Sequence, residues 1–180
     1  MYSTEKFTKE IAVKDYIRDY VNVAEFLEYC KQCPNYGTVW SCPPYDFDAA
    51  DFWTPYETFY ITATKINFAP GTTLQESGEI MREVKEQMSR ELYELEERYP
   101  GSVSLSAGCC GLCRPDGCGR ASGLSCRYPQ KMRYSIESLG GNVGLTVSKL
   151  MGIELEWVTE GKLPSYFVLV GGLLKGREQQ

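Results

Sequence analysis

Histidine is absent from this chain of 180 residues. With it go mixed Cys/His zinc sites, a histidine general base for a serine or cysteine nucleophile, and a histidine-ligated Rieske centre. Long apolar runs are missing too. The best, Tyr166 to Leu174, is far short of the ~20 residues a membrane-spanning helix needs. The opening stretch MYSTEKFTKEIAVKDY scatters charge through its apolar residues, so no secretion is expected. There is no Walker loop, no G-x-G-x-x-G and no basic stripe. Net charge is -5, from 19 basic against 24 acidic residues, and offers nothing to draw nucleic acid or an anionic membrane. The expected partner is a small molecule or another protein, and the expected compartment is the cytoplasm.

Present instead are eight cysteines in two stretches rich in proline and glycine. Upstream, YCKQCPNYGTVWSCPPY carries Cys30, Cys33 and Cys42; downstream, AGCCGLCRPDGCGRASGLSCRYP carries Cys109, Cys110, Cys113, Cys118 and Cys126. The downstream stretch has too little apolar surface to fold by burial, so disulfides or metal must hold it. In a cytosolic protein thiols stay reduced, which favours metal or redox chemistry. All-sulfur ligation selects iron-sulfur clusters, zinc or Cu(I).

A C-x2-C pair, present at Cys30/Cys33 and Cys110/Cys113, sets two sulfurs on one side of a tight turn, and zinc and cluster sites both use it. Three details tilt the reading toward iron and sulfide. Eight cysteines make two sets of four. Pro43 follows Cys42, much as proline closes the bacterial ferredoxin run. Gly108, Gly111, Gly117 and Gly119 let backbone amides approach cluster sulfur, while Arg114, Arg120 and Arg127 offset its charge.

The downstream quartet is then Cys110, Cys113, Cys118 and Cys126. The upstream trio needs a fourth ligand, for which Cys109 is the obvious donor if the loops meet. If Cys109 is only a buried thiol, one iron stays open to substrate. Structural zinc remains the alternative for either set. Asp46 with Asp48 reads as solvated loop, and Glu94, Glu96 and Glu97 as the wet face of a helix. Tyr36, Trp40 and Tyr45 read as a shield for the first cysteine group or as ordinary core.

The pattern around these loops predicts a single α/β domain over residues 1–180. Its mixed β-sheet carries packed helices, and two Cys-rich loops, 29–45 and 107–129, converge at one end. Phe7 to Val13 reads as a short edge strand and Thr58 to Phe68 as a central one. Asp15 to Tyr20 gives no clear assignment. Capping boxes at Asn22/Glu25 and Thr73/Glu76 start a short helix that delivers Cys30 and a long amphipathic one from about Leu74 to Arg98. Ser102 to Ala107 alternates as a strand, which suggests a βαβ unit with the helix before it. Ser135 to Leu139 reads as one helical turn, and Asn142 caps a helix ending at Gly152. Ile153 to Val158 and Tyr166 to Val170 read as a hairpin, and the tail KGREQQ is expected to fray.

Together, CKQCPNYGTVWSCPPY, GCCGLCRPDGCGRASGLSCRYP and YSIESLGGNVGLTVSKLMG resemble the prokaryotic family DUF2284 of predicted metal-binding proteins, over about Val13 to Trp157. The resemblance implies metal binding by Cys30, Cys33, Cys42, Cys110, Cys113, Cys118 and Cys126, and carries no particular reaction. The leading expectation is an iron-sulfur protein with two [4Fe-4S] clusters, moving electrons to or from a redox partner protein. A structural Zn2+ module and a redox enzyme with an open cluster iron are its rivals.

Overall fold

A computed structural model of the protein describes residues 1–176. Its sheet is built on β2 (Thr58–Phe68), which lies between β1 (Tyr2–Ala12) and β4 (Tyr166–Lys175); β3 (Val103–Leu105) flanks β4 on the other side. β-Branched and aromatic residues suit a strand covered on both faces, and successive side chains alternate between those faces. Phe59, Ile61 and Ala63 accordingly enter one core with Val13, Tyr16, Trp53, Leu139 and Val147. Ile66 enters a second with Val84 and Met88 of α3 (Leu74–Arg98).

Every neighbouring pair of strands is antiparallel, so the α/β architecture holds while the mixed sheet does not. β2 and β3 run parallel to each other, as a strand–helix–strand unit requires, but β4 inserts between them. Gly171 and Gly172 make that insertion possible. A Cβ at Gly172 would sit 2.6 Å from the Phe59 ring, and one at Gly171 would sit 2.6 Å from the Leu105 carbonyl oxygen. The expected hairpin over 153–170 is missing. β2 pairs with β4 along Tyr166–Lys175 on one edge and β3 meets only Gly172 to Leu174 on the other, while Ile153 to Val158 joins no ladder. It is held instead by the Tyr166 hydroxyl, which donates to the Glu154 carbonyl at 2.6 Å, and by Ser165, whose N–H and hydroxyl donate to the Glu156 carboxylate.

The helices begin where side chains cap them. Asn22 accepts the Glu25 N–H at 3.1 Å and starts α2 (Val23–Lys31), while Thr73 and Glu76 form a reciprocal capping box on α3. Asn142 accepts the Leu145 N–H at 2.9 Å and starts α4 (Val143–Met151), which Gly152 ends in the left-handed region. The turn foreseen over 135–139 is a 3₁₀ turn at Glu137–Leu139 closed by Gly140. A helix with no clear sequence signal, α1 (Val13–Tyr20), buries Val13 and Tyr16. The Tyr16 hydroxyl meets Thr146 Oγ1 at 2.9 Å, tying α1 to α4.

Lys175, where the frayed tail was expected to start, still pairs with Thr58; residues 177–180 of that tail lie outside the described residues. Among the described residues no helix is long and apolar enough to cross a membrane.

Candidate metal centre

Two departures from this scaffold carry the cysteines. Cys30 rides the last turn of α2, and the chain then turns through Cys33 N–H to Cys30 O and Tyr36 N–H to Cys33 O, both at 3.0 Å. Cys42 closes a similar turn onto Val39 O at 3.0 Å. The downstream segment leaves the sheet after β3 and comes back beside its own start. The Ser106 N–H donates to Tyr134 O at 2.8 Å, and Ser106 bridges to Ser135. Residues 107–133 are therefore an excursion closed at its base.

The two loops meet. Arg120 donates to the carbonyls of Val39, Cys42 and Pro44, and its guanidinium lies 4.9 Å from the centroid of the Trp40 ring. Trp40 Nε1 donates in turn to Leu124 O at 3.0 Å. Rather than facing cysteine sulfur, Arg120 staples one cysteine loop onto the other, and Trp40 belongs to that staple. Arg127 pairs with Asp116 at 3.4 Å. Tyr45 donates to Ser41 O at 2.8 Å and stacks on Phe47, and the Tyr134 ring meets both edge-on.

A buried hydroxyl joins the two cysteine groups directly. Ser41 Oγ accepts the Cys110 N–H at 2.8 Å and lies 4.0 Å from Cys42 Sγ, where its remaining proton can point. Asn35 Nδ2 donates to Cys109 Sγ at 3.4 Å, and Lys85 of α3 donates to the Cys109 carbonyl. None of Ser41, Asn35 or Lys85 was singled out by sequence. Ser41 does sit directly before Cys42, and that adjacency was the available signal.

Burial and neighbouring sulfurs act together on several of the thiols. Burial pushes the Cys42 thiol up to about 11; Cys109 adds to the rise, the Ser41 hydroxyl opposes it, and Cys33 and Cys30 add the rest. Cys30 is raised by burial and then by Cys33 and Glu137. Cys109 therefore stands near Cys42. Downstream, burial raises Cys110, the Leu112 N–H lowers it, and Cys126 and Cys113 lie close enough to push it up.

A cavity of about 150 Å3 is lined by Cys109, Cys110, Cys113, Cys118 and Cys126, with Asn35, Trp40 and Met132 among its other walls. Cys109 thus borders both groups. All eight cysteines are free thiols, with Cys33 exposed and the others partly buried. Among the described residues no three Cys, Asp or Glu side chains converge tightly enough to hold one metal ion.

One neighbouring acid was misjudged by sequence and a second, Glu137, was not singled out. Glu96, read with Glu94 and Glu97 as a wet helix face, is mostly buried. It receives Arg133 and both the N–H and hydroxyl of Ser104, which pins the return of the excursion to α3 and β3. Glu137 places Oε2 in the interior with no hydrogen-bond partner, and burial raises its carboxyl. Asp48 accepts the Ala50 N–H at 2.9 Å, a local loop contact as expected.

The fold and its paired thiol groups define a small α/β protein whose cysteines gather without bonding to one another. More particularly, the chain belongs to the family DUF2284, described as predicted metal-binding protein, whose sequence model matches residues 16–174. Comparison with curated proteins finds no match, and neither does comparison with solved structures.

Proposed function

We propose that this member of a predicted metal-binding family is an iron-sulfur protein, carrying two four-iron clusters and exchanging single electrons with a redox partner protein in the cytoplasm. One observation carries the reading: five cysteines line a single space of about 150 Å3, more room than one ion takes. A zinc ion at Zn–S distances of about 2.3 Å would need its thiolates nearly in contact. Thiolates that each bind a different iron of a cluster stand further apart, and a cavity of about this volume holds a benzene-sized body.

Cys110, Cys113, Cys118 and Cys126 would hold one cluster, and Cys30, Cys33, Cys42 and Cys109 the other. Bound there, such clusters supply a one-electron couple. The protein's own groups do the rest. Ser41 aims at Cys42 sulfur and fixes the Cys110 amide. Asn35 donates to Cys109 sulfur and orients it. Lys85, held at the Cys109 carbonyl, sets a cation beside sulfurs that become anionic. Exposed Cys33 brings the upstream group to the surface, where a partner protein docks.

The test is anaerobic purification with iron and sulfide analysis. The expected result is iron and acid-labile sulfide in equal amounts, with visible absorption that dithionite bleaches. Colourless protein with stoichiometric zinc and no sulfide overturns the reading.

A further inference from the structure

Beside the downstream thiols, and sharing the wall Cys110 to Leu112 and Arg114 with their cavity, a groove of about 790 Å3 runs between α3 and the excursion. Its size falls in the range of small-molecule sites, about 300–1,000 Å3. Arg82, Lys85, Arg90, Arg114, Lys131 and Arg133 line it, against a single acid, Glu86. In a chain of net charge -5 that concentration of cations is local and deliberate.

Half of these cations already have partners. Lys85 is bonded to the Cys109 carbonyl, Arg133 to Glu96, and Arg90 to Gln87. The side chains of Arg82, Arg114 and Lys131 make no hydrogen bond or ion pair among the described residues. All three are exposed, and cations gathered around one concavity attract an anion into it. The walls also carry Met81, Leu112, Leu169 and the Tyr93 ring, and Cys110 lines the same groove.

We propose that this groove binds a small organic anion, a carboxylate or phosphate ester with an apolar or aromatic body, held by Arg82, Arg114 and Lys131 next to the Cys110 thiol group. Two unpaired guanidinium forks suit oxyanions, which they bind in bidentate fashion, and the apolar wall suits the body. A concavity walled by one helix and one loop favours a small molecule over a protein, whose standard interface takes about 800 Å2 from each side. The proposal places the reading above in context, since the anion would lie against the same cysteine group, but its ionic chemistry is independent of which metal that group takes.

Binding of 1-naphthyl phosphate, naphthalene-2,6-dicarboxylate and uncharged 1-naphthol to the protein as isolated is measured by titration calorimetry. At least one of the two anions is expected to bind saturably, and naphthol not. Arg82→Glu and Lys131→Glu should each weaken that binding at least tenfold, while Lys14→Glu on α1, which makes the same change in net charge away from the groove, leaves it within twofold. Comparing the phosphate with the dicarboxylate shows which oxyanion is preferred. The proposal is overturned if neither anion binds at millimolar concentration, if naphthol binds as well as the anions, or if the two reversals act no differently from Lys14→Glu. Iron and sulfide are assayed on every sample, so a zinc result defeats the iron-sulfur reading while the calorimetry still decides the groove.

Discussion

Ser41 shows how much one side chain can coordinate. Its oxygen takes the Cys110 amide and its proton is free for Cys42 sulfur, so a single hydroxyl sets the spacing of the two thiol groups. Ser41→Ala would leave a partly buried N–H without a partner, at a cost of about 1–3 kcal/mol. It would also remove the one group that lowers the Cys42 thiol, which burial already holds near 11. Since a metal takes the thiolate, uptake must release that proton, and affinity rises with pH. The variant should therefore need a higher pH than the parent for half-maximal metal loading, a displacement that metal titrations from pH 6 to 9 detect. Eight cysteines and their spacing were plain in the sequence. Ser41, Asn35, Lys85 and the Arg120 staple were not, because each acts on a segment about 25 to 80 residues away and local pattern carries no such information.

Among the elements, α3 does two jobs at once. Its buried stripe packs on the sheet through Val84 and Met88, while Glu96 near its end holds Arg133 and Ser104. Burial works to raise the Glu96 carboxyl, but hydrogen bonds from Arg133 and Ser104 outweigh it and hold the group below the usual 4.5. A carboxyl depressed by folding stabilises the fold fully above its unfolded pKa and loses that contribution as pH falls through the folded one. The expected result is a parent protein that loses stability below about pH 4.5, and a Glu96→Gln variant about 1–3 kcal/mol less stable at pH 7 with a flatter acid limb. Urea unfolding at pH 7, 5 and 3 tests both parts.

Capping boxes and a 3.6-residue repeat made α3 legible, and β-branched content did the same for β2. The hairpin at 153–170 was misread because its strand signal is local: Ile153 to Val158 is tied down by Tyr166 on the Glu154 carbonyl and Ser165 on the Glu156 carboxylate, and enters no ladder. α1 hid for a similar reason. Val13 and Tyr16 are its buried residues, too short a stripe to stand out before Tyr16 meets Thr146. The groove cations, spread from Arg82 to Arg133, likewise form no stripe until the chain folds.

On the scale of the whole molecule, the division of labour is between a sheet stabilised by apolar burial and an excursion that has little of its own. Leu112, Leu124 and Tyr128, the large apolar residues of the excursion's cysteine loop, are all exposed. On the reading proposed above such a segment depends on its ligands, and removing the metal would remove what orders it. Cys113→Ser, or chelation of the parent, should open residues 108–128 to limited proteolysis while the sheet keeps its far-ultraviolet circular dichroism and cooperative melt. Unchanged protease resistance in that segment would contradict this.

The neck at Ser106 and Tyr134 has a consequence for how such proteins can diverge or be redesigned. Because both ends of the cysteine-bearing stretch emerge side by side, it behaves as a cassette on a socket, and a shorter or differently spaced insert needs only to span the same narrow gap. What must travel with any such transplant is the Arg120 side chain, or another group able to clasp the facing loop; without it the new insert would be tethered to the platform and yet remain unlatched from its other half.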